Sequence, residues 1–297
     1  MHVVGYEPRR PDANADMSGA NAGESRIDSE LGADRTPDSR LPASASHLKA
    51  AALVLSDANG TPTSVTRLPL EPGTTLEYTL GDRQCAGSLE GDVHHPCDRP
   101  TAPYCSYHTT TWVCARCTGT CLKDEMDCYE EHAVYLAAFA PDTFKVGVTR
   151  SWRLETRLRE QGADRAAHVH TVSNGRIARE LEANIAREHG LVDRVRTDAK
   201  LESLAATVDD AWDDLLAREA FDVLDRVDFE WELDLERQPV REVMATGTVV
   251  GTKGRLLVLE RGGTTYAVDM RDLVGYELEE AGPESTRRLQ SSLGSFS

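Results

Sequence analysis

Short runs of alternating apolar and polar residues recur along this chain and predict a fold rich in β-strands. Residues 64–70 and 74–82 (SVTRLPL and TTLEYTLGD) alternate as strands do, with the turn sequence EPGT between them. Residues 134–140 and 144–150 are apolar runs joined by the turn PDT, which predicts a hairpin. Residues 246–280 alternate again, and their KG and GG dipeptides are typical of tight hairpin turns.

Helical patterns follow the predicted hairpin. Residues 153–161 have helical composition, 166–172 predict a further strand, and 173–189 predict a helix. A longer acidic helix is predicted over 208–227. Its apolar side chains recur at helical spacing: Trp212, Leu215, Leu216 and Phe221. Strands and helices in this order predict the α+β fold class.

Composition divides the chain into six segments. Residues 1–46 are rich in Asp, Ser, Gly and Pro and have no periodic apolar pattern, so we expect a disordered acidic tail. The other predicted segments are strands over 47–84, a Cys-rich segment over 85–132, an α/β module with C-terminal helices over 133–230, hairpins over 240–282 and a flexible tail over 283–297. We expect the strands over 64–82 and the C-terminal strands to form a small barrel that joins the two ends of the chain.

The charge balance is strongly acidic, with 50 Asp and Glu against 33 Lys and Arg, for a net charge of −17. Lysine is scarce, and this combination predicts a halophilic protein from a salt-rich cytoplasm. High salt screens charges within about 3 Å at 1 M, so the acidic charge does not exclude a nucleic-acid partner. No apolar run reaches the ~20 residues of a membrane span or resembles a signal peptide, so we expect a cytoplasmic protein without a membrane partner.

Seven cysteines lie between residues 85 and 128, and none lies elsewhere. Disulfides are rare in the cytoplasm, so this density indicates metal ligands, with free thiols and an iron–sulfur cluster as alternatives. Cys105–His108 and Cys114–Cys117 have the spacing by which one turn presents two zinc ligands. The cysteines and one histidine fill two closed structural zinc sites: Cys85, Cys97, Cys105 and His108, then Cys114, Cys117, Cys121 and Cys128. An interleaved arrangement, in which the two zinc sites take their ligands alternately along the chain, remains open. We expect His94, His95 and His132 to lie at the surface or to contact the ligands rather than the metal.

The module after the cysteines resembles the GIY-YIG nuclease superfamily. Val134-Tyr135-Leu136 matches the first motif and Lys145-Val146-Gly147 matches the second. Arg157-Leu158 matches the helical arginine motif, and Leu181-Glu182-Ala183-Asn184-Ile185 matches the glutamate motif, which is also similar to the excinuclease C subunit. From about residue 75 to 280 the chain resembles an uncharacterised archaeal and bacterial family with a zinc-finger-like segment before this domain. The resemblance implies a zinc-ribbon-like segment and a β-β-α-β-α core.

The resemblance also implies roles for four residues in phosphodiester cleavage. Tyr135 would help to activate water, Arg157 would stabilise the developing charge, and Glu182 would hold Mg²⁺ or Mn²⁺. Lys145 stands where the superfamily keeps its second tyrosine, and a lysine there can contact phosphate or orient water.

Three functions of different classes are compatible with these residues. The first is a metal-dependent endonuclease acting on DNA or RNA. The second is a module that binds nucleic acid without cutting it, and the third is a scaffold stapled by zinc. Residues 150–159, with four arginines and Trp152, are candidates for phosphate contact and base stacking, although a solvated helix face has the same composition.

Overall fold

The computed structural model describes residues 1–11, 48–57, 61–109, 129–218 and 221–280. Over these ranges the chain is an α+β protein, rich in strands and with few helices. The first strands are β1 (His2–Glu7), β2 (Arg10–Pro11), β3 (Leu48–Lys49), β4 (Ala52–Ser56), β5 (Thr63–Ser64), β6 (Thr66–Pro69), β7 (Thr75–Arg83), β8 (Ser88–Glu90) and β9 (Val93–His95). The later strands are β10 (His132–Phe139), β11 (Thr143–Arg150), β12 (Arg165–Val172), β13 (Asp225–Asp228), β14 (Val240–Arg241), β15 (Ala245–Lys253), β16 (Leu256–Arg261), β17 (Thr264–Asp269) and β18 (Tyr276–Glu280). The helices are α1 (Leu154–Gln161), α2 (Gly175–His189), α3 (Thr197–Glu202), α4 (Ala211–Arg218) and α5 (Met270–Leu273), and a 3₁₀ turn at Ser151–Arg153 precedes α1.

The larger sheet joins strands from both ends of the chain. Its nine strands lie in the order β14-β17-β16-β15-β7-β18-β1-β4-β6. Its core includes Leu53, Leu76, Leu257 and Met270, which are almost completely buried. In the described part of the chain β14 and β6 end the sheet without pairing with each other, so the expected barrel is wrong. A barrel needs its two edge strands to pair.

The N-terminal residues belong to this core. β1 pairs with β18 on one side and β4 on the other, and Val3 and Val4 are fully buried. The expected disorder of residues 1–46 is therefore wrong for β1, and also for β2, which pairs with β3. The physical reason is that a short strand obtains its hydrogen bonds and apolar contacts from segments distant in sequence, which its own composition does not reveal. Residues 12–47 lie outside the described ranges.

The second sheet has the order β11-β10-β12-β13, and its first two strands form the predicted hairpin. Alternate residues of β10 face opposite sides, as the strand period requires. Val134 and Leu136 pack with residues of α2, whereas Tyr135 and Ala137 pack with Leu158 of α1. Both helices are thus held by the hairpin, one on each face.

The predicted helix over 208–227 is shorter in the structure. Trp212, Leu215 and Leu216 are buried on α4, which confirms the helical spacing there. The chain from Asp225 to Asp228 instead forms β13 and pairs with β12. The open edge of β12 offers backbone hydrogen bonds that override the weak helix propensity of this stretch.

Two glycine turns connect the two sheets. Gly162 ends α1 and Gly254 lies in the turn between β15 and β16, both with positive φ. A Cβ atom built on Gly254 would lie 2.7 Å from the backbone nitrogen of Gly162. Only glycine allows the turns to approach so closely. The contact places the residues beside Gly254 close to the C-terminal end of α1.

The helices of the described segments are too short or too polar for any of them to cross a lipid bilayer.

Candidate metal centre and cationic cavity

Three cysteines and one histidine converge just beyond the end of β7. The ligand atoms of Cys85, Cys97, Cys105 and His108 all lie within 4.8 Å of one another. The Nδ1 atom of His108 is 3.4 Å from the Sγ atoms of both Cys85 and Cys105. A tetrahedral zinc ion with bonds of about 2.0–2.3 Å fits among atoms at this spacing. The cluster is the first of the two predicted ligand sets, and it can hold a metal such as zinc.

Burial and local hydrogen bonds shift the pKa values of two of these thiols in opposite directions. The backbone N–H of Cys105 donates to the Sγ atom of Cys85 at 3.2 Å. Desolvation raises the pKa of Cys105, but backbone hydrogen bonds from Tyr107 and His108, together with side-chain hydrogen bonds from Cys85 and His108, outweigh it and lower the pKa to about 6. Desolvation raises the pKa of Cys85. Four protein ligands would fill the coordination sphere of a tetrahedral zinc ion, which is the ligand number of structural rather than catalytic zinc sites.

The remaining candidate ligands are not in this cluster. His94 is fully buried, and its ring nitrogens contact the Ser56 Oγ atom and the Ala86 carbonyl oxygen. His95 lies 3.7 Å from Glu90, and His132 contacts a backbone carbonyl. The second predicted set, Cys114, Cys117, Cys121 and Cys128, lies outside the described residues.

Tyr135 and Gly147 face each other across the hairpin. They are directly paired residues of β10 and β11. A Cβ atom on residue 147 would lie 2.6 Å from the Tyr135 hydroxyl oxygen, so the glycine makes room for the tyrosine. Tyr135 is buried, and desolvation raises its pKa. A side chain at position 147 would clash with Tyr135, which explains the glycine of the second motif in a way that the sequence pattern alone does not.

Gln161 connects Tyr135 to Lys145. Its amide nitrogen donates to the Tyr135 hydroxyl at 2.7 Å, and its amide oxygen accepts from the Lys145 Nζ atom at 3.1 Å. Lys145 is buried, and its pKa is lowered to about 8, first by desolvation and then by the charge of Arg157. The charge of Glu182 acts in the opposite direction. Gln161 belongs to none of the sequence motifs, so it was not predicted as a site residue.

The other two predicted catalytic residues have ion-pair partners. The Arg157 side chain is 46% exposed and lies 3.3 Å from Glu160. Glu182 is mostly buried and lies 2.6 Å from Arg179, one helical turn earlier. Both charges are close enough to change the pKa of Tyr135 and of Lys145. Tyr135 and Lys145 therefore share Gln161 as a hydrogen-bond partner, whereas Arg157 and Glu182 act on both through their charges and Glu182 is paired with Arg179.

The arginines of residues 150–159 do not form one exposed face. Arg159 is fully buried against Phe229 and pairs with Glu155. Trp152, in contrast, is 71% exposed. The expectation of phosphate contact therefore applies to the exposed members of this run and not to Arg159, because its apolar neighbours keep a ligand away.

A cavity of about 410 Å³ opens between the two sheets, beside Gln161. Its charged lining residues are Arg157, Glu160, Asp164, Lys200, Lys253 and Arg255. Lys253 and Arg255 flank Gly254, so the contact between the two glycine turns brings them to the cavity. Lys253, Arg255 and Lys200 were not predicted as site residues from the sequence. The scarcity of lysine was the sequence feature that could have indicated these residues. Three of the chain's few lysines, at positions 145, 200 and 253, lie in or beside this cavity.

The positive charges of the cavity are neutralised to different degrees by neighbouring carboxylates. Lys253 lies 2.6 Å from Asp164, and Arg255 lies 2.7 Å from Asp269. Lys200 instead donates to the backbone carbonyl of Gln161 at 2.6 Å. Its pKa is lowered to about 7, first by desolvation and then by four neighbouring cations. A buried or half-buried cation with a perturbed pKa in a cavity is a feature of functional sites.

These features define the class of the protein, which is a strand-rich α+β protein with a cysteine–histidine cluster that can hold a metal. Residues 93–223 match the model of a family described as "Protein of unknown function (DUF2797)". The match supports the expected similarity to an uncharacterised family, and it spans Cys97 to His108, the hairpin, and helices α1 to α4. No curated protein and no solved structure matches the chain.

Proposed function

We propose that this protein binds nucleic acid through the phosphate backbone, at the cavity between the two sheets. The observation that carries the proposal is the gathering of Lys145, Arg157, Lys200, Lys253 and Arg255 in or beside one cavity of a chain whose net charge is −17. Cations so close together repel one another, and a phosphate group relieves that repulsion. Exposed Trp152, on the turn that precedes α1, adds a surface on which a base can stack.

The resemblance to GIY-YIG proteins supports this proposal. The hairpin, α1, β12 and α2 follow one another in the order of the superfamily's β-β-α-β-α core. Tyr135 lies over Gly147, and Arg157 lies on the first helix. Binding by these residues would depend on salt, because each neutralised phosphate releases counterions.

Binding is tested by fluorescence anisotropy with short labelled single-stranded DNA and RNA, over a series of salt concentrations. Arg157→Ala is expected to weaken binding several-fold, since it removes a phosphate contact. Arg226→Ala is the matched control, because its side chain is 49% exposed and it also pairs with one carboxylate. Equal loss in both variants, or no binding by the wild-type protein at any salt concentration, would contradict the proposal and favour a zinc-stapled scaffold.

A second candidate function is metal-dependent endonuclease activity on DNA or RNA, which the hydrogen-bonded chain Tyr135–Gln161–Lys145 favours. Gln161 fixes the Tyr135 hydroxyl and the Lys145 amine, groups that would orient water or contact a phosphate oxygen if the substrate displaced the side chains that bury them. Arg157 would stabilise the developing charge. Glu182 would hold Mg²⁺ or Mn²⁺ and would have to exchange its Arg179 partner for the ion.

Cleavage is tested with Mg²⁺ and Mn²⁺ at high salt, conditions that suit a halophilic protein. Wild-type protein should cut the substrate, Glu182→Gln should not, and Glu180→Gln on the exposed side of α2 should retain activity. Binding without cleavage in the wild-type protein would overturn the nuclease candidate and leave the binding function.

We also propose that the metal is structural zinc and that the chain holds two ions. The closed ligand set at Cys85–His108 supports the first ion. The second ion rests on the number and spacing of the cysteines over 114–128. Zinc would then fasten the binding module and take no part in contacting nucleic acid.

A further inference from the structure

We propose that the cavity binds a phosphomonoester dianion, the group found at a phosphorylated strand end, through Lys200, Lys253 and Arg255. Lys200 lies on α3, Lys253 ends β15 and Arg255 lies in the turn between β15 and β16, so all three are outside the hairpin site. This proposal rests on the proposed function in one respect, namely that the phosphate belongs to a nucleic acid. The site would let the protein distinguish a strand end from the interior of a strand.

The charge of the cavity matches a dianion. Four cations line it, namely Arg157, Lys200, Lys253 and Arg255, and two carboxylates line it, those of Glu160 and Asp164. With Lys145 beside the cavity and Asp269 behind Arg255 counted as well, five cations face three carboxylates, and two positive charges are left over when all of these groups are ionised. A phosphate monoester carries about −1.5 to −2 charges at pH 7, whereas an internal phosphodiester carries one. A phosphate monoester therefore neutralises the excess positive charge of the cavity more completely than a phosphodiester does.

Lys200 supplies the least compensated of these charges. Its Nζ atom lies 4.3 Å from the centre of the Phe139 ring and 2.6 Å from the Gln161 carbonyl oxygen. In the part of the chain that the structure describes, no carboxylate lies within ion-pair distance of it. An ammonium group has three donors, so two remain for a ligand. The aromatic ring on one side and the carbonyl on another orient this cation without neutralising it.

The other two cations are held in place by carboxylates outside or at the border of the cavity. Asp269 is almost completely buried and fixes Arg255, and Asp164 fixes Lys253. Fixed cations around a concave space form a preorganised anion site, because little side-chain entropy is lost when the ligand binds. A cavity of about 410 Å³ lies within the usual range for small-ligand sites, about 300–1,000 Å³. It can therefore take a phosphate together with part of one nucleotide.

The test compares oligonucleotides of one sequence that carry a 5′-phosphate, a 3′-phosphate or only hydroxyl ends, together with inorganic phosphate. One phosphorylated end is expected to tighten binding about tenfold or more, which corresponds to about 1.4 kcal/mol. Inorganic phosphate is expected to raise the thermal unfolding midpoint above that in chloride of equal ionic strength. Both effects should disappear in Lys200→Met and return in part in Lys200→Arg, while Arg226→Met should keep them.

The possible outcomes separate this inference from the proposed function. Oligonucleotides that bind equally with and without a terminal phosphate, with no stabilisation by inorganic phosphate, overturn the inference and leave the binding function intact. Stabilisation by phosphate that depends on Lys200, without binding of any oligonucleotide, supports the site and overturns the proposed function. The ligand would then be a small phosphorylated molecule. Retention of both effects in Lys200→Met excludes Lys200 from the site and contradicts the inference.

Discussion

At the scale of single residues, Lys200 is a cation whose surroundings oppose its charge. Desolvation and the charges of Lys145, Arg255, Arg157 and Lys253 lower its pKa from 10.5 to about 7. The unfolded chain keeps the ordinary pKa, so between about pH 7 and 10.5 the unfolded state binds more protons than the folded state. The free energy of unfolding therefore rises with pH across this window.

Replacement of this charge should stabilise the fold and weaken anion binding. In Lys200→Met the apolar stem remains and the opposed charge is gone. We expect a thermal unfolding midpoint at pH 7 that is a few degrees higher than in the wild-type protein, and a smaller rise of stability between pH 7 and 10. The rise should not vanish, because the pKa of Lys145 is also lowered, to about 8.

The measurement is thermal unfolding over a series of pH values, without phosphate in the buffer. The charged groups that face Lys200 and must be considered in the analysis are Lys145, Arg157, Glu160, Asp164, Lys253 and Arg255. Lys200→Arg, which keeps the charge, serves as the control. A lower unfolding midpoint in Lys200→Met at pH 7 would mean that the lysine stabilises the fold, contrary to this account.

At the scale of structural elements, the contact between the turn at Gly254 and the end of α1 holds the two sheets together. In Gly254→Ala the new Cβ atom would lie 2.7 Å from the Gly162 nitrogen and 2.9 Å from its Cα atom. Both atoms belong to the backbone, so the turn itself must move. We expect a lower unfolding midpoint and weaker anion binding, because Lys253 and Arg255 move with the turn.

Gly262→Ala provides the matched control for this prediction. Gly262 has φ of 60°, close to the 58° of Gly254, but a Cβ atom there would meet nothing within 4 Å. Gly262→Ala should therefore lower the free energy of unfolding only by the strain of a left-handed backbone conformation, about 1–2 kcal/mol. The loss of unfolding free energy in Gly254→Ala beyond that in Gly262→Ala, measured by denaturant unfolding, reports the packing between the two sheets. Equal losses in the two variants would show that the glycine contact does not hold the sheets together.

At the scale of the whole molecule, the cysteine–histidine cluster connects the larger sheet to residues 97–108, which precede the hairpin in the sequence. Cys85 follows β7, and neighbouring Ala86 is packed in the core of that sheet. His108→Ala should remove one zinc equivalent and lower the unfolding midpoint, because one lost ligand forfeits much of a binding free energy on the order of 10 kcal/mol. Elemental analysis and thermal unfolding measure the two effects.

His95→Ala is the control for the metal prediction, since His95 lies outside the cluster in the described structure and its side chain is 44% exposed. It should keep the wild-type zinc content. If the wild-type protein contains no zinc, or if His108→Ala retains its full zinc content and stability, the assignment of this cluster as a structural zinc site is wrong.

Particular elements show why prediction from sequence succeeded in part. The hairpin, β12 and α2 were predicted close to their observed bounds, because their periodic patterns and turn residues act over a few neighbouring residues. The four ligands Cys85 to His108 were predicted as a set for a similar reason, since thiols and imidazole at these spacings have a restricted chemistry. The catalytic roles and the nucleic-acid partner remain predictions.

The sequence by itself determined the strand-rich α+β class, the hairpin and the candidate metal ligands, and the tertiary structure decided that Cys85, Cys97, Cys105 and His108 come together. Only the tertiary structure decided that residues 2–7 form an inner strand, that 225–228 pair with β12, and that Lys200, Lys253 and Arg255 share one cavity with Gln161. The physical reason is the range of the interactions. Turn geometry and metal chelation depend mainly on neighbouring residues, whereas sheet edges and cavities are made by segments that meet only when the chain has folded.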